Sequence, residues 1–221
     1  MSVYGQALAS HSDQRTYLIW RLIHEYGLRI GEVLALRIQD CPRNTGDPLH
    51  IVRIDERESD HIDTRGIYAP RPKTRGRSLG TIISPSAFPR LLWDYVTNHR
   101  HTWKKMPSGD FRKSPLVPHP YLLVNKNGDP LSRGTVNKAA REIANEIDIP
   151  FRWHLVRHAF FNRAYTDITN LSEETDRVTS MDDLVYWGGW SDPDSLRIYS
   201  ARARRLRAEA AKVAWQSGEK T

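Results

Sequence analysis

The chain has 221 residues and a net charge of +7, and this length allows one full domain or two small ones at about 100 to 200 residues per domain. Hydrophobic residues make up 39% of it, which is ordinary for a globular protein and excludes wholesale disorder. No apolar run approaches the ~18 to 20 residues of a membrane helix, and no signal-peptide pattern stands at the start. Only one cysteine is present. We therefore expect a cytoplasmic protein without membrane spans or disulfides.

The first predicted elements are two helices joined at a glycine. Apolar and aromatic residues recur at helical spacing up to Tyr26, and Gly27 follows where a helix C-cap would stand. A second periodic stretch over 28–36 begins at once and places Arg29 in its first turn. An arginine there can bind an anion, because the unpaired N–H groups of the helix start add to its guanidinium. Pairing with Glu32 on the same helix is the alternative.

A small antiparallel sheet is predicted next. Alternation of apolar and polar residues indicates three short strands, at 49–54, 66–69 and 78–83. The last two strands flank a turn that is rich in proline, glycine and basic residues and contains Lys73. Lys73 is therefore either a functional cation or an ordinary solvated turn lysine.

The rest of the chain is predicted to be mainly helical. Ser84 and Ser132 can cap helices that run to about positions 101 and 147, and four prolines indicate an irregular segment over 103–120. Another helix starts near His154, and two further helical stretches surround Tyr199. The expected fold class is therefore α+β, mainly helical, with a small three-stranded antiparallel sheet.

Charge is distributed unevenly along the chain. Residues 64–90 include six basic side chains and no acid, and residues 197–221 include seven basic side chains against two acids. Residues 166–183, by contrast, carry six acids and only Arg177. A sequence pI near 9.6 together with this sidedness indicates a polyanion such as nucleic acid as a partner. A merely solubilising surface is the alternative.

Two strings place chemically active side chains close together. In WHLVRH, His154 and Arg157 lie three positions apart on one helix face, so an imidazole and a guanidinium can point to one place. His154 and His158 are spaced like zinc ligands, but the glutamate of the HExxH pattern is absent, so we expect no metal. Trp190 and Tyr199, in GGWSDPDSLRIYS, could each be catalytic or simply packed in the core.

Taken together, the order and spacing of four strings resemble those of the tyrosine recombinases, the phage integrase family. The strings are YGLRIGEVLALRIQD, PKTRGR, WHLVRHAF and GGWSDPDSLRIYS, and the resemblance covers about residues 15–210. The first string contains G-L-R-x-x-E, the third contains H-x-x-R-H, and Trp190 stands nine residues before Tyr199, as in the family. The resemblance implies the family's fold and a tyrosine that cleaves DNA.

The resemblance also implies roles residue by residue. The implied catalytic positions are Arg29, Lys73, His154, Arg157, Trp190 and Tyr199, supported by Glu32 and His158. The residues implied to bind DNA are Arg71, Arg75, Arg77, Arg202, Arg204 and Arg205. Tyr199 would attack a DNA phosphodiester and form a 3′-phosphotyrosyl link, while the two arginines hold charge on the non-bridging oxygens. Lys73 would protonate the leaving 5′ oxygen, His154 would take or share the tyrosine proton, Trp190 would hydrogen-bond or buttress the site, and no cofactor is implied.

The resemblance implies a single catalytic domain over 1–221, with 201–221 as a basic C-terminal tail or helix. The helical core-binding domain that usually precedes the catalytic domain in the family is expected to be absent. Either this chain is a catalytic domain excised from a longer protein, or it is a naturally short member. The implied partners are double-stranded DNA and further protomers of the same protein, assembled on DNA as a tetramer. We expect the protein to lie in the cytoplasm with the nucleoid.

One spacing departs from the family. Arg157 and Trp190 are 33 residues apart, which is longer than in the family's short version. The excess coincides with the acidic segment 167–183, which is either a family-specific loop or a surface for a partner. The expected function is that of a site-specific DNA recombinase or integrase of a mobile element. A type IB topoisomerase, which rejoins the same strand, and a DNA-binding regulator that has lost catalysis are the alternatives.

Overall fold

The computed structural model of the chain describes residues 13–57, 62–72, 74–80, 87–148 and 150–201, and positions 204, 205, 208, 209 and 212 of the tail. The described helices are α1 (Gln14–Tyr26), α2 (Ile30–Ala35), α3 (Ala87–Asp94), α4 (Arg133–Ile147), α5 (Trp153–Thr169) and α6 (Glu174–Gly188). Helix α3 continues into one wider turn, Tyr95–His99, and a 3₁₀ turn at Pro193–Leu196 leads into helical residues 197–201. Within this part of the chain, no helix is both long and apolar enough to span a membrane.

Two antiparallel strand pairs accompany the helices. Strand β1 (Leu49–Ile51) pairs with β2 (Arg77–Leu79), and β3 (Thr102–Lys105) pairs with β4 (Phe111–Ser114) to form a hairpin. The predicted class, mainly helical α+β, is confirmed. The strands are arranged differently from the prediction, because the described residues form two two-stranded sheets in place of one sheet of three strands.

Two segments differ from the sequence prediction for local reasons. Residues 66–69 form a 3₁₀ turn instead of a strand, since Gly66 has a φ of 57° and both Ile67 and Tyr68 are exposed, which leaves no face to bury. Segment 103–120, predicted to be irregular, contains most of the β3–β4 hairpin. Its prolines lie in the turn or after β4, where no strand N–H is required.

The predicted helix boundaries agree with the structure at most of the described positions. Gly27 ends α1 with a left-handed φ of 65°, and the Ser132 hydroxyl caps α4. Arg29 is a small correction: helix α2 begins at Ile30, so Arg29 is the residue that precedes it and not part of its first turn. The other predicted cap, Ser84, lies outside the described residues.

Helix α1 forms the centre of the main core and packs against α5. Its buried apolar and aromatic side chains are Leu18, Ile19, Trp20, Leu22, Ile23 and Tyr26. At the end of α1 the two backbones come so close that a Cβ on Gly27 would lie 2.6 Å from the Phe160 ring. Because no side chain fits there, the loop that carries Arg29 lies directly against α5.

A smaller hydrophobic cluster joins α5, α6 and the segment that follows α6. Its buried members are Phe160, Phe161, Ala164, Leu184, Leu196 and Tyr199. Gly189 ends α6 with a φ of 62°, which turns the chain back toward this cluster. Apolar burial therefore holds Tyr199 beside α5, next to the ends of α1 and α6.

Candidate active site

The carbonyl groups at the end of α6 gather three arginines. The Gly188 carbonyl accepts hydrogen bonds from Arg29 Nη1 at 2.9 Å and from Arg157 Nη2 at 3.0 Å. The Trp187 carbonyl accepts one from Arg77 Nε at 2.9 Å. The last carbonyls of a helix have no partner within the helix and carry the negative end of its dipole, so they attract cations. Three guanidinium groups from distant parts of the chain therefore meet at this point.

Glu32 connects two of these arginines from the other side. Its Oε1 accepts hydrogen bonds from Thr74 Oγ1 at 2.6 Å and from Arg77 Nη1 at 2.9 Å, and its Oε2 accepts the Arg29 N–H at 2.7 Å. Burial alone would raise the pKa of Glu32, but the adjacent Arg77 charge and these hydrogen bonds outweigh burial and hold the pKa below its usual value. The carboxyl group is therefore ionised at neutral pH.

The structure shows one of the two interpretations of Arg29, its pairing with Glu32. Its guanidinium lies 3.6 Å from the Glu32 carboxylate, so the pair exists. The Arg29 side chain is still 37% exposed, whereas Glu32 is fully enclosed. Part of the guanidinium thus faces solvent and remains accessible to an anion.

Arg157 is almost completely enclosed. It donates hydrogen bonds to the Gly27 and Gly188 carbonyls, and its guanidinium lies 4.6 Å from the Phe161 ring centroid and 5.3 Å from that of Trp190. Burial, followed by the nearby Arg29 charge, lowers the pKa of Arg157 to about 9. The side chain therefore keeps its charge at neutral pH.

Tyr199 lies in an aromatic pocket beside these cations. The side chain is buried, and its ring centroid is 5.6 Å from that of Phe161 and 5.8 Å from those of His158 and Trp190. Burial raises the pKa of Tyr199, while the positive charge of Arg157 and Arg29 lowers it and offsets part of that effect. Trp190 contacts both the tyrosine and Arg157, so it fixes their relative position.

A cleft of about 490 Å³ opens next to this cluster. Three guanidinium groups line it, those of Arg29, Arg71 and Arg133, and Trp190 forms part of its wall. Lys73 lies outside the described residues, but both of its neighbours, Pro72 and Thr74, line the cleft. Glu32 also lines the cleft but is paired with Arg77, so the lining has a net positive charge that suits a phosphate.

The two histidines of the H-x-x-R-H string occupy different positions. His158 has its ring next to Tyr199, whereas His154 is exposed and lines a separate groove with Arg141 and Arg152. The two imidazole rings are 5.7 Å apart. Nowhere in the described chain do three His, Cys, Asp or Glu side chains gather as a possible metal site.

Comparison with known proteins decides the family. The phage integrase family matches residues 4–205 of this chain. The chain belongs to the phage integrase family. Transposase A from transposon Tn554 of Staphylococcus aureus is 27% identical over 157 residues, which are 69% of this chain and 37% of the transposase. This chain therefore corresponds to well under half of the length of that relative.

Solved structures of tyrosine recombinases share the fold. The XerH site-specific recombinase bound to a palindromic difH substrate superposes with a TM-score of 0.61 at 18% identity, covering 96% of this chain and 50% of XerH. The Tn1549 transposon integrase in complex with transposon right end DNA superposes with a TM-score of 0.60 at 17% identity. The match covers 93% of this chain and 63% of the integrase. XerA recombinase superposes with a TM-score of 0.58 at 16% identity, and the match covers 95% of this chain and 62% of XerA.

The structure brings most of the residues matched to family motifs into one place. Arg29, Glu32, Arg157, Trp190 and Tyr199 all belong to the cluster at the end of α6 or to the aromatic pocket beside it. The segment that precedes Tyr199 contains helix α6. The end of α5 and helix α6 thus span most of the 33 residues between Arg157 and Trp190, including most of the acidic segment 167–183.

The basic residues predicted to bind DNA lie in several different environments. Arg71 lines the cleft, Arg75 is exposed, and Arg204 and Arg205 are exposed on the tail. Arg77 requires a correction, because its side chain is only 1% exposed and its guanidinium is committed to Glu32 and to α6. Arg202 and Lys73 lie outside the described residues.

Sequence reasoning missed two residues of the cleft. Arg133 is the first residue of α4, directly after the Ser132 cap, and it lines the cleft with Arg29. Thr74 donates a hydrogen bond to Glu32. The position of Arg133 at a capped helix start was a usable signal, since such ends favour anions. The role of Thr74 depends on a contact with a residue 42 positions away.

Proposed function

We propose that this chain is the catalytic domain of a site-specific DNA recombinase that cuts and rejoins strands through a covalent link between Tyr199 and a 3′ phosphate. The observation that carries this proposal is the convergence of Arg29 and Arg157 on one oxygen, the Gly188 carbonyl, at 2.9 and 3.0 Å. An oxygen held by two guanidinium groups is what a non-bridging phosphate oxygen requires. A buried tyrosine within the field of the same two charges supplies the nucleophile.

The chemistry follows from these positions. The Tyr199 oxygen forms a bond to phosphorus as the bond from phosphorus to the 5′ oxygen breaks, and Arg29 and Arg157 stabilise the negative charge that develops on the non-bridging oxygens. Lys73 gives a proton to the departing 5′ oxygen. The phosphotyrosyl link keeps the energy of the broken bond, so a new 5′ hydroxyl can attack it in the reverse reaction.

The tyrosine proton needs an acceptor, because burial raises the pKa of Tyr199. The family motif favours His154 for this role. His158 is a second group for it, since its ring lies 5.8 Å from that of Tyr199. Tyr199 is only 3% exposed, so its hydroxyl has to leave the aromatic pocket to reach a phosphate bound in the cleft.

Double-stranded DNA is the proposed substrate, and several protomers are proposed to assemble on it, up to a tetramer. The XerH and Tn1549 integrase structures contain DNA, and the positive cleft of this chain supports the same class of ligand. A transposon protein among the relatives supports a role in moving a mobile element. We assign the reaction to the cytoplasm, where it would act on nucleoid DNA.

A suicide duplex, nicked so that the cleaved end diffuses away, tests the proposal. The wild-type chain should form a covalent protein–DNA adduct, and peptide mapping should place it on Tyr199. Tyr199→Phe removes one oxygen, so it should fold and bind DNA as before but form no adduct, while Tyr165→Phe serves as the matched control. An adduct on another residue, or none, contradicts the proposal. Relaxation of supercoiled DNA without a paired site would instead indicate a type IB topoisomerase.

A further inference from the structure

The β3–β4 hairpin presents an unusual exposed surface. Its register pairs Trp103 with Lys113 and Lys105 with Phe111, and pairs two positions apart share one face of a ribbon. This face therefore alternates two aromatic rings with two cations. Trp103 is 44% exposed and Phe111 is 65% exposed. The Lys113 ammonium lies 5.9 Å from the Trp103 ring centroid.

The opposite face of the hairpin carries positive charge that forms no ion pair with any described carboxylate. Lys104 stands directly across from Arg112, and like charges in this position destabilise a strand pair. In the described part of the chain, no carboxylate forms an ion pair with Lys104, Lys105, Arg112 or Lys113. An arrangement that is unfavourable in the free protein becomes favourable when a polyanion binds to it.

The hairpin is also firmly anchored at its base. Thr102 Oγ1 donates a hydrogen bond to the Asn127 carbonyl at 2.8 Å, and a Cβ on Gly128 would lie 2.4 Å from the Thr102 side chain. The strands therefore project from a tightly packed turn. A surface that is held in place before binding loses little conformational entropy when a ligand docks.

A pocket of about 270 Å³ at this base extends the positive surface. Its charged and imidazole side chains are Arg15, His99, His101, Lys113, Lys126 and Asp13. The single acid is already engaged, since Asp13 caps α1 and bonds to Arg15. The Nδ1 of His101, which lines this pocket, is buried without a hydrogen-bond partner among the described residues.

We propose that the β3–β4 hairpin is a second contact surface for double-stranded DNA, separate from the cleft. This inference rests on the proposed function, because it assumes that DNA is the substrate. The strands are about 13 Å long at ~3.3 Å per residue, and a major groove about 12 Å wide admits a two-stranded ribbon. The cations then face phosphates on both sides of the groove, and Phe111 can contact a thymine methyl.

The position of the hairpin indicates where on the DNA it acts. The start of α1 lines the pocket at the base of the hairpin, and the end of α1 meets Arg157 at the active site. Helix α1 has 13 residues and is therefore about 20 Å long. This separation corresponds to about six base pairs of duplex. The hairpin would thus contact DNA that flanks the cleaved phosphate.

The acidic segment 167–183 of a second copy is the other polyanionic surface that could occupy the hairpin. DNA is favoured because both faces of the hairpin are basic. A duplex offers phosphates on both sides of a groove, whereas one helix presents its carboxylates to one side of a ribbon only. Self-association through the hairpin is therefore an outcome of the test and not part of the proposal.

A pair of charge-matched double variants tests the proposal. Lys105→Gln with Lys113→Gln removes two charges from the hairpin, and Arg43→Gln with Arg90→Gln removes two charges from exposed positions elsewhere. Fluorescence anisotropy with a labelled duplex of about 30 base pairs should show at least a tenfold loss of affinity at ~0.1 M salt for the hairpin variant alone. The slope of log K against log salt should fall by about 1.8, since each lost phosphate contact removes about 0.9.

Two results would overturn this inference. One is an equal loss of DNA affinity in the two double variants, which would mean that only net charge matters. The other is a hairpin variant that binds DNA like the wild type, whether or not light scattering shows altered self-association. Failure of the proposed function is a separate observation, because it appears as the absence of a Tyr199 adduct while the dependence of DNA binding on the hairpin persists.

Discussion

The buried pair between Arg77 and Glu32 is predicted to be a main support of the active site. Both side chains are only 1% exposed, and removing one partner of such a pair costs about 3 to 5 kcal/mol because the other charge is left uncompensated. Arg77→Met also loses the hydrogen bond to the Trp187 carbonyl, worth about 1 kcal/mol. Glu32 keeps its bonds to Thr74 and to the Arg29 N–H. We therefore expect Arg77→Met to lower the free energy of unfolding by about 3 kcal/mol, near the bottom of that range.

A double-mutant cycle measures this support. Urea denaturation at pH 7 of Arg77→Met, Glu32→Gln and the double variant should give a double-variant cost below the sum of the single costs by about 2 kcal/mol or more. Arg57→Met is the matched control, because it breaks an enclosed ion pair with Asp40 that does not line the cleft. Arg57→Met should lower stability, yet leave adduct formation per folded molecule unchanged. Arg77→Met should lower both. Single costs that add within about 0.5 kcal/mol would refute the reasoning.

The same pair predicts how stability depends on pH. The folded pKa of Glu32 is held below its ordinary value of 4.5. A carboxyl group of this kind contributes stability that is fully present above the ordinary value and is lost as the pH falls through the lowered one. The stability difference between wild type and Glu32→Gln should therefore stay at its full size from pH 7 down to the ordinary pKa of 4.5 and shrink as the pH falls further. A difference that stays constant down to the acid transition would contradict the assignment.

Four further predictions concern the reaction, the binding of DNA and the oligomeric state. Lys73→Ala should cleave normal DNA at least ~100-fold more slowly than wild type does. It should recover much of its rate when sulfur replaces the scissile 5′ bridging oxygen. Arg157→Ala should stay slow on both substrates. Rescue of Arg75→Ala instead would reassign the general acid. If His154 is the proton acceptor, His154→Ala should reduce adduct formation more than His158→Ala does, and the reverse order in single-turnover assays would transfer the role. The logarithm of the wild-type affinity for DNA should fall steeply and linearly with the logarithm of the salt concentration. Light scattering should detect a monomer without DNA, and a stable DNA-free tetramer would overturn that expectation.

The sequence by itself determined the features that depend on neighbours within a few positions. The end of α1 at Gly27 and the start of α4 at Ser132 follow from capping, which requires only one turn of helix. The G-L-R-x-x-E string places Arg29 directly before α2, and the H-x-x-R-H string places His154 and Arg157 about one turn apart on α5. The mainly helical fold class follows from such local patterns, whereas the family and the candidate site residues came from the resemblance of whole motif strings to those of the family.

Only the tertiary structure decided which charged side chains face the cleft and which are buried. Arg77 looks like a surface arginine in a basic turn, but its main partner carbonyl lies 110 positions away at the end of α6. Arg133 reaches the cleft only because α4 begins beside the loop that carries Arg29. The β3–β4 hairpin forms within a proline-rich segment because its strands bond to each other and its base packs on a distant turn. Such contacts join segments far apart in the chain, and their energy depends on burial and geometry that appear only after the chain has folded.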